Sequence, residues 1–195
     1  MTFRMSNRKR ITAIAAQEQH GLPNSLAEAS KRSGFYGALM FLDLDNFKSL
    51  NDKQGHSAGD LLLTETATRL KASVREIDTV ARFGGDEFVV LLVELALSTQ
   101  ESMSQAMVIA EKIRLALAEP YALSMVRKGA DAVPLVHRCT ASIGVTLFTH
   151  SEVSQHDILM RADSAMYQAK ERGRNQIRIY GLPTDVATEG VIAPN

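Results

Sequence analysis

Apolar positions along the chain alternate between short runs and helical stripes. Residues 38–45 (ALMFLDLD) form an apolar run ending in two carboxylates, too short for most helices and suited to a buried strand. A polar stretch, 46–60, follows. Leu61, Leu62, Ala67, Leu70 and Val74 then recur at helical spacing and predict a helix over about 57–75. The runs Thr79 to Phe83 and Phe88 to Leu95 flank Gly84-Gly85, which predicts a hairpin, since glycines supply the positive φ of tight turns. Met103, Met107, Ala110, Ile113 and Leu117 mark a second helix stopped by Pro120. Strands are expected near Tyr121–Val126 and Leu135–Phe148, with Lys128-Gly129 in their connection. Ser154 suits the N-cap of a third helix, whose Ile158, Leu159, Ala162, Ala165, Met166 and Ala169 share one face, and Gly173 suits its end. Ile177 to Tyr180 reads as a last strand. This order predicts an α/β fold: a single domain with a mainly antiparallel central sheet flanked by helices.

Composition narrows the class without deciding it. Of 195 residues, 45% are hydrophobic and 23% charged, the balance of a globular protein with a buried core. Lys+Arg and Asp+Glu are equal at 22 each, so net charge gives no argument for nucleic acid as partner. The charge is unevenly placed. Residues 1–35 carry six basic groups against Glu18 and Glu28, leaving sixteen basic and twenty acidic groups beyond them. Residues 1–20 are expected to be a basic N-terminal extension and 182–195, with little apolar content, a flexible tail, with 21–181 as the domain. The single Cys139 excludes an internal disulfide and fits a reducing cytoplasm. No apolar run approaches the ~20 residues needed to cross a bilayer, so membrane insertion is not expected.

The chemistry gathers at two acidic pairs. Asp43 and Asp45 end the first strand and are expected on opposite faces, leaving one of them for any given site. Asp86-Glu87 follows the glycine turn directly. If the two strands are neighbours, Asp43 and Asp86 meet at the sheet edge with Glu87 near them. Carboxylates brought together repel each other unless a cation lies between them. Mg²⁺ suits hard oxygen ligands and commonly bridges carboxylates to a substrate's phosphates. A solvated turn would be the simpler reading of GGDE alone. Anion-binding groups tilt the balance: Lys170 and Arg174 are four apart on one helix face, and Lys48 lies five residues after Asp43. Amides around Asn46 and Phe47 could cup an anion as well. Each alone is an ordinary solvated group; the combination suggests a nucleoside triphosphate with a metal.

The run Arg82-Phe83-Gly84-Gly85-Asp86-Glu87-Phe88 resembles the signature of the GGDEF family of diguanylate cyclases. The resemblance extends over about residues 21–180: GLPN at 21–24, FLDLDNFKSLND at 41–52, GHSAGD at 55–60, DTVARFGGDEF at 78–88, ASIGVTLF at 141–148 and RADSAMYQAKERGRN at 161–175. It implies a palm-like nucleotidyl cyclase topology and the condensation of two GTP molecules into cyclic di-GMP. Asp43, Asp86 and Glu87 would be the catalytic acids. Asp43, Asp86, Glu87 and the Leu44 carbonyl would hold Mg²⁺, or Mn²⁺ in its place, with Glu87 alternatively helping to deprotonate the ribose 3′-hydroxyl. Asn46, Phe47, Lys48, Lys170 and Arg174 would bind the triphosphate, and Asn51 and Asp60 would read guanine. A carboxylate at Asp60 accepts from guanine N1–H and N2–H, which adenine cannot match. Ring closure needs two reciprocal attacks, so the resemblance implies a homodimer.

Arg75-Glu76-Ile77-Asp78 stands at the family spacing for an inhibitory cyclic di-GMP site, with Arg75 and Asp78 as its contacts. The family's opening pattern, D-x-L-T-G-L-x-N-R, is altered here: Gln17 stands at its Asp position and Ser25 at its Arg position. That change leaves open a non-catalytic domain that binds cyclic di-GMP or GTP. A nucleotide monocyclase is a third reading, but it accounts less well for Asp60 and the R-x-x-D spacing.

Overall fold

The computed structural model describes residues 34–125, 133–149 and 154–181. Expectations for residues 1–33, for the 128–129 connection and for the tail beyond 181 lie outside the described residues. The elements run β1 (Gly37–Leu44), α1 (Phe47–Gln54), α2 (His56–Ser73), β2 (Thr79–Gly84), β3 (Glu87–Leu92), α3 (Thr99–Ala118), β4 (Tyr121–Met125), β5 (Val133–His137), β6 (Ala141–Phe148), α4 (Gln155–Glu171) and β7 (Ile177–Ile179). Five strands form one sheet in the order β2-β3-β1-β6-β7, and β4-β5 is a separate antiparallel ribbon. Every pair in the large sheet is antiparallel except β6 with β7. The mainly antiparallel α/β fold expected from the pattern is the one observed.

All eight residues of β1 are buried, because the strand has neighbours on both edges and layers on both faces. Alternation divides its side chains. Ala38, Met40, Leu42 and Leu44 enter the larger core with Leu62 and Leu70 of α2 and Ile113 and Leu117 of α3. Leu39 and Phe41 enter a second core with Ile158, Leu159, Ala162 and Met166 of α4. Asp43 continues the odd-numbered series and so faces the α4 side. Asp45, two residues on, also reaches that side, which corrects the expectation that the two acids diverge: a period of two returns residues 43 and 45 to one face. They differ in partners, not in direction.

Gly144 lets α4 lie directly on β6. A Cβ there would stand 2.0 Å from the Ala162 carbonyl oxygen and 2.2 Å from the Met166 nitrogen, both backbone atoms of α4. The helix is capped as expected: the Ser154 hydroxyl accepts from the Asp157 N–H at 3.2 Å. It ends at Glu171 with Arg172 as its C-cap, followed by Gly173 at φ +111°.

Three expectations fail locally. The polar 46–60 stretch, expected to hold no helix before about residue 57, carries α1 at Phe47–Gln54, and α2 begins at His56 after Gly55 at φ +83°. Only Phe47 and Leu50 of α1 are buried, too few to mark a helix by periodicity. Leu135–Phe148 is not one strand, since residues 138–140 break it into β5 and β6, which belong to different sheets. Of the glycine pair, Gly85 alone takes a positive φ (54°). No helix among the described residues is long and apolar enough to cross a membrane.

Candidate active site

The end of β1 and the β2–β3 turn are joined by the sheet itself. Asp43 pairs with Glu87 across the β1–β3 ladder, and the Leu44 N–H donates to the Asp86 carbonyl at 3.2 Å. Asp43, Leu44, Asp86 and Glu87, named as one cluster from sequence, are therefore brought to one sheet end. Arg82 secures the turn, donating from Nε at 2.9 Å and Nη2 at 2.7 Å to the Gly85 carbonyl. Sequence reasoning quoted Arg82 within the motif but gave it no role. Its signal was its place two residues before Gly84, within reach of the turn it closes.

Asp43 is the electrostatic centre of this cluster. Its side chain is 9% exposed and forms an ion pair with Lys170 Nζ at 2.5 Å. Burial pushes its carboxyl up to about 6, with nearby Asp86 and Asp45 adding to the rise and Lys170 opposing it. Burial prevails because a charged carboxylate loses more hydration than one neighbouring ammonium returns. The site thus holds excess negative charge that asks for a cation. Among the described residues no three acidic, histidine or cysteine side chains form a ready metal cage. The donor set nevertheless fits a hard divalent ion, since Mg²⁺ takes one or two carboxylates and completes its shell with water and substrate phosphate.

The phosphate-binding candidates are placed unequally. Lys170 is in the last turn of α4 and reaches Asp43. Arg174 does not share its helix face, contrary to expectation. The helix ends at Glu171, and Gly173 turns the chain so that Arg174 is exposed at φ 64°. Lys48 is exposed on the first turn of α1, behind Asn46 at φ 60° and the buried Phe47. Neither Lys48 nor Arg174 makes an ion pair with another described residue. The Ser49 N–H already donates to the Asn46 carbonyl at 3.0 Å, which leaves the Phe47 and Lys48 amides at the start of α1 for an anion.

Asn51 and Asp60 stand at the junction of α1 and α2. Gly59 packs so closely there that a Cβ would come within 2.1 Å of Asn51 Oδ1 and 3.0 Å of Phe47 Cζ. Asn51 Oδ1 is buried and has no hydrogen-bond partner. A buried amide oxygen without a donor costs about 1–3 kcal/mol. Asp60 is exposed and opens a groove of about 530 Å³ lined by Leu63, Thr64, Lys71, Val80 and Arg82.

The R-x-x-D pair is closed on itself. Arg75 Nε donates to Asp78 Oδ2 at 3.0 Å and Nη2 to Oδ1 at 2.8 Å, while Oδ1 also accepts the Val93 N–H at 3.2 Å. The Asp78 side chain is fully buried; that of Arg75 is 44% exposed beside a groove of about 560 Å³. Asp78 is therefore committed to Arg75 and the β3 end in this conformation, not open to a guanine edge as expected.

Comparison with known proteins identifies the family. The family model described as the diguanylate cyclase GGDEF domain matches residues 10–176. The bifunctional diguanylate cyclase/cyclic di-GMP phosphodiesterase MucR of Pseudomonas aeruginosa is 41% identical over 138 residues, which is 71% of this chain and 18% of MucR. Diguanylate cyclase A of Treponema denticola is 37% identical over 142 residues, 73% of this chain and 34% of that protein. The chain thus spans well under half the length of these relatives. The crystal structure of the GGDEF domain of YfiN (TpbB) from P. aeruginosa matches with a TM-score of 0.68 at 35% identity, covering 82% of this chain and 91% of that one. The GGDEF domain of DgcB from Caulobacter crescentus, solved with c-di-GMP, matches with a TM-score of 0.65 at 28% identity, covering 86% and 88%. With its signature turn stitched to the acidic end of β1, the chain belongs to the GGDEF-domain family of diguanylate cyclases.

Proposed function

We propose that this chain condenses two GTP molecules into cyclic di-GMP, releasing two pyrophosphates. The observation that carries this reading is the joining of Asp43 and Leu44 to Asp86 and Glu87 by the β1–β3 ladder, with Lys170 at its edge. Asn51 and Asp60 hold guanine at the α1–α2 junction. Lys48, Lys170, Arg174 and the first amides of α1 grip the triphosphate. Asp43, Asp86, Glu87 and the Leu44 carbonyl would hold Mg²⁺, or Mn²⁺ in its place. When bound, the metal offsets charge on the α-phosphate and favours ionisation of the attacking hydroxyl. Glu87 either takes the 3′-hydroxyl proton or helps hold that metal.

In each half-reaction a ribose 3′-oxygen bonds to the α-phosphorus of the other GTP, and the bond to the β-phosphate oxygen breaks. One domain supplies one GTP. Two domains must therefore face each other antiparallel, and their association controls the proximity and orientation of the reacting groups. The test is to incubate the chain, stripped of bound nucleotide, with GTP and Mg²⁺ and to resolve the products by chromatography. Cyclic di-GMP is expected, and none from an Asp86→Ala, Glu87→Ala variant. No product at concentrations that permit dimers would leave the receptor reading, tested by binding of labelled cyclic di-GMP.

Two outcomes follow for specificity and control. Asp60→Asn should raise the KM for GTP by about 10²-fold and erode discrimination against ATP, because an amide cannot accept from both guanine N–H groups. Competition between the two nucleotides measures this, and an unchanged GTP/ATP ratio would remove Asp60 from recognition. Product inhibition is proposed at Arg75, whose exposed guanidinium can meet a phosphate or a guanine edge. Arg75→Ala should raise the half-inhibiting cyclic di-GMP concentration by about tenfold or more, the loss of one charge-assisted bond.

A further inference from the structure

Asp45 has no place in the ligand set above, yet it is one of the most heavily bonded groups among the described residues. It is 4% exposed. Its Oδ2 accepts the Thr140 hydroxyl at 2.6 Å and the Asn175 N–H at 3.1 Å, and its Oδ1 accepts the Ser142 hydroxyl at 2.7 Å. Its own N–H donates to the Thr140 carbonyl at 2.8 Å, and its carbonyl accepts from the Cys139 thiol at 3.3 Å. One carboxylate thus joins the end of β1, the start of β6 and the turn after α4.

That turn is strained. Gly173, Arg174 and Asn175 take φ of 111°, 64° and 45° in succession. The left-handed region disfavours a side chain such as that of Arg174, so a run of three positive-φ residues needs external restraint. Asp45 supplies it at the Asn175 N–H. On the other side, Arg114 of α3 donates from Nη1 to Asn175 Oδ1 at 2.9 Å. At the near end of the same turn, Lys170 is held by Asp43. Two acids on one side of the sheet therefore fix both ends of the segment that carries Lys170 and Arg174.

We infer that Asp45 is a positioning residue for the triphosphate: by tying the Asn175 amide to the sheet it sets Arg174 relative to Asp43. This rests on the cyclase reading for its ligand, but not for its geometry. Burial keeps Asp45 from touching substrate, and its carboxylate is taken up by three donors from this chain.

The test uses Asp45→Ala and Asp45→Asn in the full chain, with three readouts. In Asp45→Ala, hydrogen exchange at the Asn175 amide should rise about tenfold or more, as one bond to a charged acceptor is lost. Affinity for a non-reacting GTP analogue bridged by methylene between the α- and β-phosphates should fall about tenfold, while affinity for GMP changes less than about twofold. Asp45→Asn should recover most of both, since its amide oxygen can accept from Asn175 and Thr140 while its NH₂ donates to Ser142. That variant keeps the test decisive if the alanine does not fold. In an Arg174→Ala background, Asp45→Ala should add less than about twofold to the loss of analogue affinity. Unchanged exchange at Asn175, equal losses for GMP and the analogue, or full additivity with Arg174→Ala would each overturn the proposal. If the unaltered chain bound neither nucleotide, the cyclase reading and the triphosphate assignment would fall together. Asn175 exchange rising in Asp45→Ala would then still support the tie itself.

Discussion

Replacing Asp43 with asparagine is expected to abolish cyclic di-GMP synthesis while making the ligand-free fold more stable above pH 6. Both effects come from one buried charge. The amide forfeits the carboxylate that would anchor the metal and substrate, an interaction worth several kcal/mol, so the rate should fall at least about 10³-fold. The stability gain follows from linkage. The carboxyl of Asp43 is raised from 3.8 to about 6 in the fold, chiefly by burial. Between those values the folded state binds more protons than the unfolded state, so stability falls as pH rises from about 4 through 6. Above that window the ionised carboxylate costs about 2–3 kcal/mol relative to its neutral form. Asparagine imitates the neutral form and escapes this cost. Denaturant unfolding from pH 4 to 8 should show the variant more stable at pH 7 to 8, with the difference closing towards pH 4. A variant less stable than the parent at pH 8 would show that the Lys170 pair, and not burial, governs this carboxylate.

Gly144→Ala tests the scaffold rather than the chemistry. The added methyl would meet the Ala162 carbonyl and the Met166 nitrogen, backbone atoms that cannot rotate aside. The helix must lift from the sheet, loosening Ile158, Leu159 and Met166 from their packing against Leu39 and Phe41. Overpacking commonly costs 1–3 kcal/mol, and a backbone-to-backbone clash belongs at or above the top of that range, about 3 kcal/mol. Thermal unfolding should show a fall of roughly 10 °C. Because α4 carries Lys170, GTP affinity should fall too. A melting temperature within about 2 °C of the parent would mean that α4 does not sit this close.

Much of this arrangement was legible along the chain, and the failures share a cause. β1 and β3 announced themselves because both are buried nearly throughout, and α3 and α4 because their buried residues recur at helical spacing. Asp43, Asp86 and Glu87 could be grouped on the condition that the first strand lies beside the hairpin, and the β1–β3 ladder meets that condition. α1 was missed because its sequence, FKSLNDKQ, buries only Phe47 and Leu50. A four-residue spacing from Lys170 to Arg174 implies one helix face only if the helix continues, and it stops at Glu171 before Gly173. The role of Asp45 was out of reach for another reason. Its partners Thr140 and Asn175 lie 95 and 130 residues away, and no local pattern encodes a contact of that range. Asp78 shows the reverse case: its motif spacing was plain, but the closure of Arg75 onto it needed the fold.

The central claim is that each chain holds one half of a two-GTP reaction. The most direct measurement is the initial rate and identity of product at saturating GTP and Mg²⁺ over a dilution series of the stripped chain. The account predicts cyclic di-GMP, with a rate that rises as the square of chain concentration while monomers prevail. A product closed within a single nucleotide, 3′,5′-cyclic GMP, formed at a rate linear in chain concentration, would contradict it.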